Sequence, residues 1–280
     1  MAKNEIIMRK IILVFACLGL SLGAFAQNYK WQRTAIDGSR TGVVSPSADN
    51  VKETLGEVKG KKYYAPSGKV YKGTTAEVAK LIIDAQSEMA AVKKVIGYSP
   101  AVMEKYGPES ELSNFTVDVV MDRVGKEMGK KIDVGITNFG GIRVDMPKGD
   151  IIVDDIMSMF PFKNNIVYVE VKGSRLREVL EGMAAKRVEV IGGMKIVVEN
   201  RKLVSVTIGG EPLQDDKIYT MATITFLLHG GDRLYLGEGM ETVKELEVSI
   251  YDAMSEYIIA ETSAGRPITG KKDGRVVIKK

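Results

Sequence analysis

Residues 132–143 read IDVGITNFGGIR. The apolar run Ile132–Thr137 reads as a short strand, and the chain leaves it through an asparagine, a phenylalanine, two adjacent glycines and Arg143. Gly140 and Gly141 carry no Cβ, so backbone there can come close to a ligand. Arg143 offers a planar fork of donors suited to phosphate or carboxylate. The plainer alternative, a tight turn with a surface arginine, is open from these residues alone.

Two further junctions share this character. FPFKNN, 160–165, sets two phenylalanines around Pro161 just before Asn165–Val171, a strand apolar on both faces and so expected in a sheet interior. Alternate residues of an extended chain point oppositely, so one of Phe160 and Phe162 can be core while the other faces a cavity. An exposed ring can stack on a nucleobase, worth about 1–3 kcal/mol per base. Both rings in the core is the alternative. TFLLHGGDRLY, 225–235, ends a strand over Lys217–Ile224, adds Phe226 and closes on Gly230, Gly231 and Asp232. Asp232 can accept hydrogen bonds from a sugar hydroxyl, or it is a solvated turn residue. His229 in the same turn reads as structural or solvated.

The spacing outside these junctions predicts mixed elements. Thr74 and Glu77 form a T-x-x-E capping box, and Val78, Ile82, Ala85, Met89, Val92 and Ile96 continue one helical face to a stop at Gly97. A second helix is expected over 113–128 with Gly129 beyond it. Ser174 is expected to cap a helix carrying Leu176, Val179, Leu180 and Met183. Lys195–Glu199 and Leu203–Ile208 suggest a hairpin, followed by a turn at Gly209-Gly210, and Ser249 caps a late helix. Helices and strands mix without a strict βαβ rhythm, which predicts an α+β fold.

The N-terminus reads as an export signal. Arg9 and Lys10 precede an apolar run ending in Ala24-Phe25-Ala26, giving 1–26 as a signal peptide cleaved after Ala26. An acylated Cys17 is the weaker alternative, since only about half of the apolar run would precede it. Residues 27–73 are polar and rich in Lys, Gly and Ser, and read as an extended or loosely ordered leader in which Tyr63 and Tyr64 suit a short strand. The expected home is periplasmic or extracellular. No later stretch approaches the ~20 apolar residues of a membrane span. The 280 residues carry 40 Lys and Arg against 36 Asp and Glu. Loss of Lys3, Arg9, Lys10 and Glu5 lowers the formal net charge from +4 to +2, which gives no strong draw to nucleic acid. A single Cys excludes a disulfide framework, and a single His argues against His-rich metal sites.

NFGGIR, then PF, then F-x-x-x-G-G-D, in this order, resemble the C-terminal substrate-binding domain of the 5′-nucleotidase / UDP-sugar hydrolase family. VIGYSP (95–100), ELSNFTVDVV (111–120) and DAMSEYI (252–258) resemble its other segments, with Ser113 in place of the usual glycine and Asn114 and Asp118 retained. The resemblance covers about 75–280. It implies a domain over 74–280 of layered mixed sheets with flanking helices. It also implies a substrate site of Asn138, Gly140, Gly141, Arg143, Phe162, Phe226, Gly231 and Asp232. Asn138 and Arg143 would meet the phosphate end, Phe162 and Phe226 would sandwich the base, and Asp232 would bind the ribose hydroxyls.

Three departures stand out. The family usually carries further arginines before the first helix motif; this chain has none between Arg40 and Arg123, and Lys105 is the nearest cation. Arg233 stands where a glycine is usual. The family's chemistry resides in an N-terminal metallophosphoesterase domain, and no D-x-H, G-N-H-E or second histidine occurs in this sequence. The expectation is a nucleotide-recognition part with no catalytic residue or metal of its own, working with a separately encoded exported phosphoesterase that holds the divalent metals. A stand-alone nucleotide- or nucleoside-binding protein, and a non-binding structural module, are the alternatives.

Overall fold

The computed structural model describes residues 49–279. The expected signal peptide, Cys17 and the leader up to residue 48 lie outside the described residues.

The central layer is a five-stranded sheet built from β5 (Val134–Thr137), β7 (Asn165–Lys172), β8 (Val190–Gly192), β12 (Ile218–Ile224) and β13 (Thr242–Ser249). Its order is β13-β7-β12-β5-β8. β7 is paired on both edges, antiparallel to β12 and to β13. That position explains its run of apolar residues on both faces; Ile166, Val167, Val169 and Val171 are fully buried. β5 is parallel to β12 and antiparallel to β8.

A long helix (Glu111–Met128) lies on this sheet. Ser110 and Ser113 close a reciprocal capping box at its start, and Gly129, at φ 62°, ends it in the left-handed conformation that suits glycine. The sheet beneath is floored by glycine. A Cβ on Gly135 or Gly192 would lie 2.7 Å from the Met121 side chain, so the helix can approach only because none is there. A second sheet holds β9 (Met194–Glu199), β10 (Lys202–Ile208), β11 (Glu211–Pro212) and β14 (Val276–Lys279), in the order β11-β10-β9-β14. There β9 and β10 form the expected hairpin, and the Gly209-Gly210 turn leads to β11. A second helix (Gly173–Lys186) packs on β7 and on β10, and thereby joins the two sheets. The last helix (Ile250–Ser263), capped by Ser249 with Asp252, packs on the long helix. This is the α+β arrangement of layered mixed sheets and flanking helices that the sequence predicts.

Three local expectations are corrected. The helix opening at Thr74 spans Thr74–Asp84 only, and its N-cap is Gly73 with no side-chain cap, so Thr74 and Glu77 form no capping box. Ile96 lies in β4 (Val95–Ser99), which pairs with β6 (Gly149–Ile152). Long-range pairing overrides the 3.6-residue period there. Ser174 caps nothing: the N-cap of its helix is Lys172, and the following Gly173 is required because a Cβ would sit 2.0 Å from the Gln214 carbonyl oxygen. The described part of the proposed leader is ordered. β1 (Glu57–Lys59), β2 (Lys62–Tyr64) and β3 (Val70–Lys72) form an antiparallel meander in which Tyr63 stacks on Tyr71 and its hydroxyl donates to the Leu55 carbonyl. Strands of three residues are too short to display a period, which is why this segment reads as a leader.

Candidate functional site

Strand topology brings the three junctions to one end of the central sheet. Ile224, the last residue of β12, faces Ile166, the second residue of β7. The start of β7 and the end of β12 therefore coincide. β5 runs parallel to β12, so its C-terminal end lies there too. NFGGIR leaves β5, FPFKNN enters β7 and TFLLHGGD leaves β12. Open α/β sheets place ligands beyond the carboxyl ends of parallel strands for the same reason, because loops diverge there and leave room.

Hydrogen bonds stitch the junctions pairwise. The Arg143 backbone N–H donates to the carbonyl of Met159 at 2.9 Å, tying the first to the residue just before the second. The Asn165 N–H donates to Thr225 Oγ1 at 3.2 Å, joining the second to the third. Asn138 Nδ2 donates to Asp232 Oδ2 at 2.6 Å, joining the third to the first across 94 positions.

The glycines explain themselves in this setting. Gly140 and Gly141 make a single 3₁₀ turn with Phe139 at negative φ, so no left-handed backbone requires them. A Cβ on Gly141 would fall 2.6 Å from Asn138 Oδ1, and one on Gly140 3.3 Å from Asn138 Nδ2. They clear space for the Asn138 amide, which is buried at 4% exposure. Gly231 does the same for Phe226, whose ring would lie 2.4 Å from a Cβ at 231.

The two rings of FPF separate as an extended chain demands. Phe160 is buried at 3% exposure and Phe162 is exposed at 49%. Phe226 is exposed at 43%. The Arg143 guanidinium lies over Phe162, 5.8 Å from its centroid, and Arg143 Nη1 donates to the Gly140 carbonyl. Phe162, Asn138 and Gly141 line one recess with Thr116, Thr137 and Asn164. Asn138 Oδ1 and the hydroxyls of Thr116 and Thr137 are buried there without a hydrogen-bond partner within the protein. Such groups cost about 1–3 kcal/mol each until a partner meets them, and the recess, at about 10 Å³, has room for a water-sized one.

The Gly-Gly-Asp turn is strained. Asp232 (φ 50°), Arg233 (φ 62°) and Tyr235 (φ 49°) occupy left-handed backbone, uncommon for residues with a Cβ. Arg233 thus adopts a conformation that glycine takes without cost, consistent with the glycine usual at that position. His229 is exposed, its Nε2 3.3 Å from Glu245 Oε1.

Glu189 and Arg187 are functional candidates that sequence reasoning misses. Glu189 lies between Val188 and Val190, where alternation predicts an outward charge, yet it is buried at 7% exposure. Its Oε2 accepts the Phe139 N–H at 2.9 Å. Burial pushes the Glu189 carboxyl above the usual range, against the Phe139 N–H and the Arg187 charge, which pull it down. Arg187 lies over the Phe139 ring, 5.3 Å from its centroid. Among the described residues, no group of three or more His, Cys, Asp or Glu side chains is placed to hold a metal ion. No helix among them is long and apolar enough to cross a membrane.

Comparison with known proteins shows the family of the chain. Residues 72–238 match the family described as 5′-nucleotidase, C-terminal domain, and the chain belongs to that family. It is 30% identical over 129 residues to Protein UshA of Yersinia enterocolitica, covering 44% of this chain and 22% of that protein. It is 32% identical over 107 residues to a 5′-nucleotidase of Vibrio cholerae, covering 36% of this chain and 19% of that protein. The chain thus spans about a fifth of the length of these relatives. In fold it is similar to a 5′-nucleotidase precursor from Thermus thermophilus, with a TM-score of 0.64 at 22% identity, over 77% of this chain and 45% of that one.

Proposed function

We propose that this domain is the nucleotide-recognition part of a 5′-nucleotidase or UDP-sugar hydrolase type phosphohydrolase. The observation that supports it most is the pairwise stitching of the three junctions, above all the Asn138–Asp232 bond. With it an amide, a carboxylate and two exposed rings share one sheet end. Phe162 and Phe226 grip the base, Asp232 accepts from the ribose diol, and Asn138 and Arg143 meet the phosphate end. Gly140, Gly141 and Gly231 keep the space those side chains need.

The hydrolytic step itself belongs to a separate exported dimetal phosphoesterase, against which this domain presents its nucleotide. The N-terminal signal-like segment supports export, and a sequence with one histidine supports locating the metals elsewhere. Titration calorimetry with AMP, adenosine and UDP-glucose tests recognition. Mixing the protein with exported metallophosphoesterases of its source cell tests the division of labour. Nucleotidase activity that rises on mixing is the expected result; no rise with any of them contradicts it.

A further inference from the structure

The meander β1-β2-β3 pairs in a register that lines up lysines. Lys59 of β1 stands opposite Lys62 of β2, and Lys62 stands opposite Lys72 of β3. Directly paired residues project from the same face of a sheet, so these three side chains form one row across the strands, about 5 Å from each to the next. The neighbouring row on that face is Glu57, Tyr64 and Val70. Apart from Glu57, every residue of the two rows is exposed. Lys61 and Lys69 stand in the turns on either side of β2.

Like charges placed directly opposite one another destabilise a sheet. Lys59 is relieved by Glu57, which its Nζ meets at 2.6 Å. Lys62 and Lys72 have no carboxylate partner among the described residues. Residues 56–73 hold five lysines and one acid, a surplus as large as the formal net charge of +4 of the whole chain. The rest of the chain is balanced, so the charge is concentrated here. Nearly all of this segment precedes the family match, which begins at residue 72.

We propose that this sheet face is a docking surface for an anionic lipid bilayer, which holds the protein at a membrane without spanning it. Charge complementarity names the partner: a negative surface relieves the repulsion along the row and gains from each lysine near it. The chemistry of the face favours a bilayer over a nucleic acid. All five cations are lysines, which act as point charges, and none is an arginine with a planar fork for paired phosphate oxygens. The face presents one ring, Tyr64, where single-strand binders stack successive bases on several. Tyr64 and Val70 beside the lysines give an amphipathic ring and an apolar side chain at headgroup level. The proposal stands apart from nucleotide recognition and uses none of its residues.

Flotation with vesicles of phosphatidylcholine, and of phosphatidylcholine and phosphatidylglycerol in equal parts, tests it. The parent protein should bind the anionic vesicles in excess of the neutral ones. It should leave them as salt rises from about 0.1 M to about 1 M, where the screening length falls from about 10 Å to about 3 Å. The Lys62→Gln, Lys72→Gln double variant should lose about thirtyfold in affinity for the anionic vesicles. Lys126→Gln, a control on the long helix at a lysine paired with Asp122, should change nothing. The apolar run before Ala26 is common to parent and variants, so it drops out of the comparison. The urea midpoint of the double variant should not fall below that of the parent, because the change removes a repulsion. Equal binding to both kinds of vesicle, binding that persists in high salt, or full binding by the double variant overturns the proposal. So does a lower midpoint, which would make the row a stabilising feature. Retention on a single-stranded oligonucleotide with no binding to anionic vesicles gives the face to nucleic acid and overturns the bilayer.

Discussion

Asn138 and Asp232 are 94 positions apart in the chain, and the amide of one donates to the carboxylate of the other at 2.6 Å. The bond closes the mouth of the sheet between β5 and β12. It also fixes the flip of the amide, because Nδ2 must face the carboxylate, and so leaves the Oδ1 acceptor buried and unmet.

Asn138→Asp reverses this bond's electrostatics. Two carboxylates then stand where a donor met an acceptor, and a charge is buried without its partner. Stability should fall by about 1–3 kcal/mol, read from urea unfolding at neutral pH. Nucleotide binding should fall with it.

Gly141→Ala tests the spatial account of the double glycine. The new methyl falls 2.6 Å from Asn138 Oδ1, the far end of a short side chain, so the amide must swing rather than the backbone. Nucleotide affinity should drop while stability changes by no more than about 1–3 kcal/mol. An unchanged affinity would show that the amide has no part in recognition.

Much of this is legible in the sequence, and the failures have physical causes. The long helix shows its stop at Gly129, because a left-handed glycine is local chemistry. The interior strand Asn165–Lys172 shows its burial through uninterrupted apolar residues. The helical pattern from Thr74 outruns the helix itself, since Met89, Val92 and Ile96 keep its period after the chain has left it. Asn114 and Asp118 fit the family pattern, yet their contacts here are structural. Asn114 Nδ2 donates to Glu109 and to the Lys271 carbonyl, and Asp118 pairs with Arg275. Arg187 and Glu189 are invisible because K-R-V-E-V reads as an ordinary solvated strand entry; only the tertiary fold carries them to Phe139.

The C-terminal tail is fastened by charge. Arg275 is 6% exposed and forks onto Asp118 at 2.8 and 3.0 Å, with Asp273 bonding its other edge. Asp118→Ala should destabilise the domain by roughly 1.5–3 kcal/mol, with nucleotide affinity untouched. Urea midpoints read the first and calorimetry the second. A loss of affinity without loss of stability would move Asp118 into the binding site.

Glu170 gives the domain an acid-sensitive contact. Hydrogen bonds from Tyr168 and Thr242, together with Lys130, hold its carboxyl at about 2, below the ordinary 4.5. The folded state therefore favours the ionised form, and between these values the unfolded chain binds more protons. The stabilisation is complete above about pH 4.5 and is lost as pH falls through about 2. Glu170→Gln should flatten this part of the stability profile, measured as urea midpoints from about pH 2.5 upward. An identical acid slope in the parent and the variant would remove Glu170 from the account.

The central claim is that a base is held at this sheet end between Phe162 and Phe226. Calorimetric titration of AMP and UMP into the parent and into the Phe162→Ala, Phe226→Ala double variant tests it most directly. Both rings are exposed, so the variant should fold like the parent. The account predicts saturable binding to the parent and a loss of about 2–6 kcal/mol in the variant, the stacking of a base on two rings. No binding to the parent, or binding that survives removal of both rings, would contradict it.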